Sequence, residues 1–370
     1  MSQHFLSSAK LRDMTLFELT KLTKREAHQL FADLRWGHPG QQICPGCGTI
    51  DAHYWRNNRN HWRCKSKGCE CEFSATRGTM FQDHKLPIEK ILVAIFFYIT
   101  DWGGYAAHKL VRQIDVTLKT AWVLLSKIRE LFYKNRDMTP LTGTVHVDGA
   151  YFCGKRRDAN KRGPSLPGRI AGIQNAVYAK HAGAPSGRAR RAKLLMPGGR
   201  ANAIRKLNRR VVLVARQVSE IAGQGAIYTR VTIAKSEQES EAIPFIHRHV
   251  VAGSVIMSDE NGAYNSLSQH YTHKTVQHKV EYQTDDGVSN NQAESFNSRM
   301  RRSEYGSYHG YRKKYLMFYA TEIAWLEDQR RKTLKERFNL IFSYLEKSGL
   351  SECFRGYWQG HHLKEELLNM

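Results

Sequence analysis

Three hundred and seventy residues exceed what one hydrophobic core usually organises, so the length favours two or three domains. Lysine and arginine total 57 against 34 acidic residues, a net charge of +23, while 41% apolar and 11% aromatic residues exclude a disordered polycation. The longest apolar run, residues 91–99, is far short of the roughly 18 residues of a membrane span, and no signal-peptide core opens the chain. These features predict a cytoplasmic, nucleoid-associated protein with no membrane partner. So positive a charge calls for a polyanion, with nucleic acid the first candidate.

Residues 1–40 form an N-terminal helical segment, with capping-box spacing at Thr15/Glu18 and Thr23/Glu26. Residues 41–76 are rich in Cys and Gly and lack helical periodicity. Over 77–138 the helical pattern returns. Ile88, Ile91, Leu92, Ile95, Phe96 and Ile99 make one buried stripe, and residues 101–104 break it. Leu110 and Ile114 precede Asp115-Val116-Thr117, and Ala121, Leu124, Ile128 and Leu131 follow it. That is helix-turn-helix spacing, which any helical hairpin shares.

From 139 to 305 the period changes. Strands are predicted near 142–152, 210–217, 226–233 and 254–258, with helices near 238–249 and 293–303, giving a mixed α/β domain. Residues 306–370 read as C-terminal amphipathic helices, with Leu316, Tyr319, Ile323 and Leu326 on one face.

Five of the seven cysteines fall between Cys44 and Cys71. Cys44-Pro45-Gly46-Cys47, then Cys64 with either Cys69 or Cys71, supplies the four thiolates that zinc prefers. Four sulfurs leave no open coordination position, so such a zinc is structural. The lone Cys153 and Cys353 read as small apolar packing residues.

Three acids lie at or near element ends: Asp148 at the end of an apolar strand, Asp259 just past another, and Glu294 opening a helix. Phosphoryl transfer on DNA needs carboxylates that hold two divalent ions a few Å apart. Each acid alone reads as a turn or cap residue. Together, in a chain of this charge, they point to a metal centre.

The same motifs resemble the zinc-ribbon insertion-sequence transposases of the ISXO-like group over nearly the whole chain. Leu34-Arg35-Trp36 with the Cys44–Cys47 knuckle is similar to the family's ribbon entry, and residues 73–81 with Lys85-Leu86-Pro87 to its exit. Thr120-Ala121-Trp122 with Ile128-Arg129 resembles its helical segment. Val147-Asp148-Gly149-Ala150-Tyr151, Ser258-Asp259 with Gly262-Ala263-Tyr264, and Asn291-Gln292-Ala293-Glu294-Ser295-Phe296 resemble its three acidic motifs in order.

The resemblance implies a ribonuclease-H-like mixed sheet with flanking helices, following a zinc ribbon and a helix-turn-helix-like segment. It implies a DDE-type transposase that binds terminal inverted repeats, cleaves the ends and joins 3′ hydroxyls to target DNA. Asp148, Asp259 and Glu294 would hold two Mg²⁺ or Mn²⁺, with Asn291 as a helper because the family's third position is either Glu or Asn. One structural Zn²⁺ would take Cys44, Cys47, Cys64 and, by its place four residues before Phe73-Ser74, Cys69. Synapsis of two element ends implies a homodimer or larger assembly on double-stranded DNA. A domesticated DNA-binding protein and a nuclease without strand transfer are the alternatives.

Basic residues cluster. The excursion 155–210 holds sixteen Lys plus Arg against Asp158 alone, including Lys155, Arg156, Arg157, Arg188, Arg190, Arg191 and Lys193. Without acids such a loop repels itself unless phosphate is near, so DNA contact is expected. Arg301 and Arg302 follow Glu294 by about two helical turns and are expected on its face.

Overall fold

Two threonines set the first helices. Thr15 Oγ1 accepts from Glu18 N to open α1 (Leu16–Thr20), and Thr23 and Glu26 cap each other reciprocally at the start of α2 (Lys24–Trp36). The second helix ends at Gly37, whose φ of 70° is the left-handed turn that a side chain would resist. The computed structural model describes residues 8, 11, 13–153, 209–276 and 289–369. The expected DNA contacts Lys155, Arg156, Arg157, Arg188, Arg190, Arg191 and Lys193 lie outside the described residues.

The Cys-rich segment folds into two small antiparallel sheets: β1 (Gln42–Ile43) with β2 (Ile50–Asp51), and β3 (Tyr54–Arg56), β4 (His61–Arg63) and β5 (Glu72–Phe73) in order. So few strand residues cannot make a core alone. Edge-to-face rings fasten them to α2 instead, with Trp62 packed against Trp55, Trp36 and the tilted ring of Phe73.

Three helices follow: α3 (Ile88–Thr100), α4 (Ala107–Ile114) and α5 (Leu118–Lys134). The turn between α4 and α5 passes through Asp115 in the left-handed region, at φ 50°. All six residues of the predicted α3 stripe are buried, as are Leu110, Ile114, Ala121, Leu124, Ile128 and Leu131. Burial nevertheless extends around α5: Ser126, Lys127, Arg129 and Glu130 are also buried.

A five-stranded mixed sheet occupies the second half. β6 (Thr144–Phe152), β7 (Arg210–Val218) and β8 (Ala226–Ala234) are antiparallel neighbours. β9 (Val255–Asp259) runs parallel to β6 on its other side, and β10 (Thr272–Val276) parallel to β9. The order is β10-β9-β6-β7-β8. Alternation divides the apolar side chains between two cores. Val145, Val147, Val211 and Leu213 join Ile246 of α6 (Glu239–His249) and Tyr264 on one face. Ala150, Phe152, Val212 and Val214 join the other core, with α7 (Asn291–Arg302), α8 (Leu316–Asp328) and the N-terminal helices.

Two expectations need correction. Asp148 is mid-strand, not at a strand end, because antiparallel pairing with β7 continues through Phe152. And α8 is not amphipathic. Glu322 and Glu327 are buried against Arg129 (2.9 Å) and Arg216 (3.2 Å), so nearly the whole helix is interior while Tyr319 is only half-buried. The amphipathic reading suits α9 (Leu334–Ser348), and beyond it the chain makes one 3-10 turn, Tyr357–Gln359, and no further α-helix among the described residues. No helix among them is long and apolar enough to cross a membrane.

Candidate catalytic and metal centres

The pairing of β6 with β9 covers residues 144–146 and stops there. Asp148 lies two residues further on, where one edge of the strand is no longer paired, while its other edge still pairs with Val214. Its even position points it to the α7 side of the sheet. There Asn297 Nδ2 donates to Asp148 Oδ2 at 2.7 Å, and Gly149 N donates to Oδ1 at 2.8 Å. The start of α7 is fixed by two more bonds from the sheet: Gln292 N to His146 Nδ1 (3.4 Å), and Arg216 Nη1 to the Gln292 carbonyl (2.9 Å). His146 is kept neutral for this role, its pKa lowered to about 4 by burial and then by Arg216.

Asp259 is the last residue of β9 and Glu294 sits in the first turn of α7. Asn261 N donates to Asp259 Oδ1 at 3.2 Å, closing the turn after the strand. Both carboxylates bear on Asp148. Burial first, then Asp259 and more weakly Glu294, push the Asp148 carboxyl up to about 6, against the bonds from Asn297 and Gly149. Asn291 is the exposed first residue of α7, and Arg301 and Arg302 are exposed on its last turn, with Arg302 Nη2 donating to Ser298 Oγ at 3.3 Å.

Two residues of this centre escaped the sequence reading. Glu237 follows β8 by three residues, and its Oε1 accepts from Tyr264 Oη at 3.1 Å. Its carboxyl lies 2.5 Å from where a Cβ on Gly149 would sit, so any side chain there would displace it. Burial, then Asp148, push Glu237 up to about 7. The strand-end signature that singled out Asp259 was present at Glu237 too. Asn297, one turn after Glu294 on α7, could have been found from that spacing.

Four carboxylates thus bear on one another where β6, β9 and α7 meet. They are hard oxygen donors with mutual repulsion that a divalent cation would relieve, although among the described residues only the cysteines below already form a group tight enough to hold an ion.

The cysteine cluster is separate. The Sγ atoms of Cys44, Cys47, Cys64 and Cys69 all lie within 4.8 Å of one another, with Cys44–Cys69 at 3.8 Å and Cys47–Cys64 at 3.6 Å. A tetrahedron with zinc–sulfur bonds of about 2.3 Å has edges of about 3.8 Å, so the cage suits that ion. Gly46 N and Ser66 N each point at a sulfur, 3.4 Å from Cys44 and Cys64 respectively. Gly48, at φ 75°, closes the first knuckle by donating to the Cys44 carbonyl. Hydrogen bonding from Thr49 lowers the Cys47 thiol to about 6, whereas burial pushes Cys64 up to about 12. Cys71 Sγ instead accepts from Arg77 Nη1 at 3.3 Å.

The mixed sheet thus gathers acids at one strand edge. Residues 180–328 match the model of the ISXO2-like transposase domain. The matched span includes Glu237, Asp259 and Glu294 and begins beyond Asp148. The chain is 27% identical over 156 residues to the uncharacterized protein in transposable element ISH50 of Halobacterium salinarum. That alignment covers 40% of this chain and 51% of the relative, so the chain spans about half the length of the curated relative it matches. No solved structure matches.

Proposed function

We propose that this chain is a DDE-type DNA transposase that binds the terminal inverted repeats of its element, cleaves the ends and joins the 3′ hydroxyls to target DNA. The observation that carries the reading is the convergence of Asp148, Asp259 and Glu294, distant in sequence, beside one open strand edge. The three antiparallel strands followed by two parallel ones support a ribonuclease-H-like catalytic domain. Asp148, Asp259 and Glu294 would hold two Mg²⁺ or Mn²⁺. When bound, such ions activate an attacking oxygen and stabilise the leaving one. Asn297 holds Asp148 in a fixed rotamer, and His146 and Arg216 hold the helix that carries Glu294. These contacts restrain two of the three ligands before any ion arrives, which is what positioning contributes to phosphoryl transfer.

Cys44, Cys47, Cys64 and Cys69 hold one structural Zn²⁺. The basic residues of 155–210, with Arg301 and Arg302, supply phosphate contacts to double-stranded DNA, and two copies of the chain bring two ends together. Incubation with labelled element ends and a supercoiled target, in Mg²⁺ or EDTA, tests this reading. Joined products in Mg²⁺ alone are expected. Cut but unjoined ends would make the protein a nuclease, and shifted but uncut DNA a binding protein.

A further inference from the structure

A cleft of about 1150 Å³ opens beside α5, between three walls. One wall is residues 82–86, after the cysteine-rich segment. The second is the α5 face of Thr120, Val123 and Lys127. The third is the C-terminal segment 351–361. Lys127 is the anomaly. Only 5% of it is exposed, it lines the cleft, and among the described residues it has no hydrogen bond or ion pair.

The nearby carboxylates are engaged elsewhere. Asp83 pairs with Arg355 at 3.1 Å and Glu352 with Lys134 at 2.7 Å. Glu130 accepts from Ser351 Oγ and from the amides of Glu352 and Cys353. Glu130 and Asp83 attract the ammonium without pairing with it, and the remaining cost of burying it would be offset by an anion entering the cleft. Burial, with a smaller push from Arg355, outweighs the attraction of Glu130 and Asp83 and pulls the Lys127 pKa down to about 8, which still leaves the group charged at pH 7.

At the rim stands an indole. Trp358 is 55% exposed, with the Lys119 ammonium 4.1 Å from its ring centroid, and its neighbour Tyr357 is anchored on Trp122. A largely buried cation and an exposed aromatic ring lining one cleft can receive one nucleotide strand, phosphate on the cation and base on the ring. The third wall packs against α5 through Trp122, which meets Phe354 and Tyr357, and the narrowing this imposes on the cleft favours a single strand over a duplex.

We infer that this cleft binds an unpaired nucleic-acid strand, with a backbone phosphate on Lys127 and a base on Trp358. The inference does not depend on the catalytic reading, because none of the acids described above lines the cleft. It can be tested with the full chain in EDTA, where metal-dependent chemistry is silent. Fluorescence anisotropy would follow a labelled single-stranded 12-mer and the matching duplex. Lys127→Met keeps the stem's bulk while removing the charge, and Trp358→Ala removes the exposed ring.

Each variant should lose single-strand affinity by about 5- to 100-fold, the range for one base stack or buried phosphate contact. Lys127→Met should also flatten the log–log salt dependence by about 0.7. Duplex affinity should stay within twofold of wild type. If Lys127→Met misfolds, Trp358→Ala at the rim still decides. Unchanged single-strand binding in Trp358→Ala would overturn the inference, as would an equal loss of duplex binding. Displacement of the 12-mer by a deoxynucleoside monophosphate as readily as by unlabelled 12-mer would make the cleft a mononucleotide site and overturn it too.

Discussion

Glu237→Gln isolates the electrostatic cost of gathering acids at the β6 edge. The carboxyl rises from an ordinary 4.5 to about 7 in the folded chain, through burial and then Asp148. Each pH unit between those values is worth about 1.4 kcal/mol, so the full gap corresponds to about 3 kcal/mol. Glu237 is half-buried, and solvent screening reduces this to about 1–2 kcal/mol. Because the folded pKa is raised, protonation of Glu237 supports the fold fully below pH 4.5, and that support is lost as pH rises through 7. Glutamine carries no charge to lose, and its carbonyl can still accept from Tyr264. In EDTA at pH 8 the variant should therefore unfold a few degrees above wild type, and at pH 4.5 the two should coincide. Thermal melts at both pH values, repeated with Mg²⁺, make the measurement. Wild type should gain more from Mg²⁺ at pH 8 than the variant does. A variant no more stable than wild type at pH 8, or equally advantaged at both pH values, would refute the argument.

Four further outcomes are expected. Cys69→Ser should lose bound zinc and fold poorly, whereas Cys71→Ser should keep close to one equivalent, as read by metal analysis of purified protein. Asp148→Asn and Asp259→Asn should abolish cleavage and joining with DNA binding intact, and Glu294→Gln should cost several orders of magnitude in strand-transfer rate, far more than Asn291→Ala; the reverse ranking would move the third ligand to Asn291. Arg129→Met leaves Glu322 buried without its cation and should destabilise the chain by about 3–5 kcal/mol in denaturant titration, with much of that recovered by adding Glu322→Gln. Neutralising Arg188, Arg190, Arg191 and Lys193 together should weaken duplex binding and lower the salt slope by up to about 0.9 per lost contact.

Features encoded locally were legible in the sequence. The Thr23/Glu26 capping box, the α3 stripe and the first cysteine knuckle each depend on residues a few positions apart, and the structure has all three. Asp259 and Glu294 were legible because each stands at an element boundary. Glu237 stands at one too, but nothing in a single sequence says which strand-end acids reach the same edge; that depends on where β6 and β9 stop pairing. The interior of α8 was hidden for a different reason. Glu322 and Glu327 look like a solvent face until Arg129 and Arg216, more than a hundred positions away, are brought against them.

The docking of α2 on α9 has a consequence for synthesis. Phe31 packs edge-on to Phe342 with ring centroids 4.9 Å apart, and Arg35 pairs with Glu346, 311 positions later. A ribosome adding about 5–20 residues per second needs roughly 15–60 s to travel that distance. For that interval the apolar side of α2 leaves the ribosome without its partner, so the N-terminal helices cannot finish folding as an independent unit while the chain grows. A chain stopped before Leu334 would leave Phe31 with Phe81 but without Phe342, and such truncated products should be the first to aggregate or be degraded.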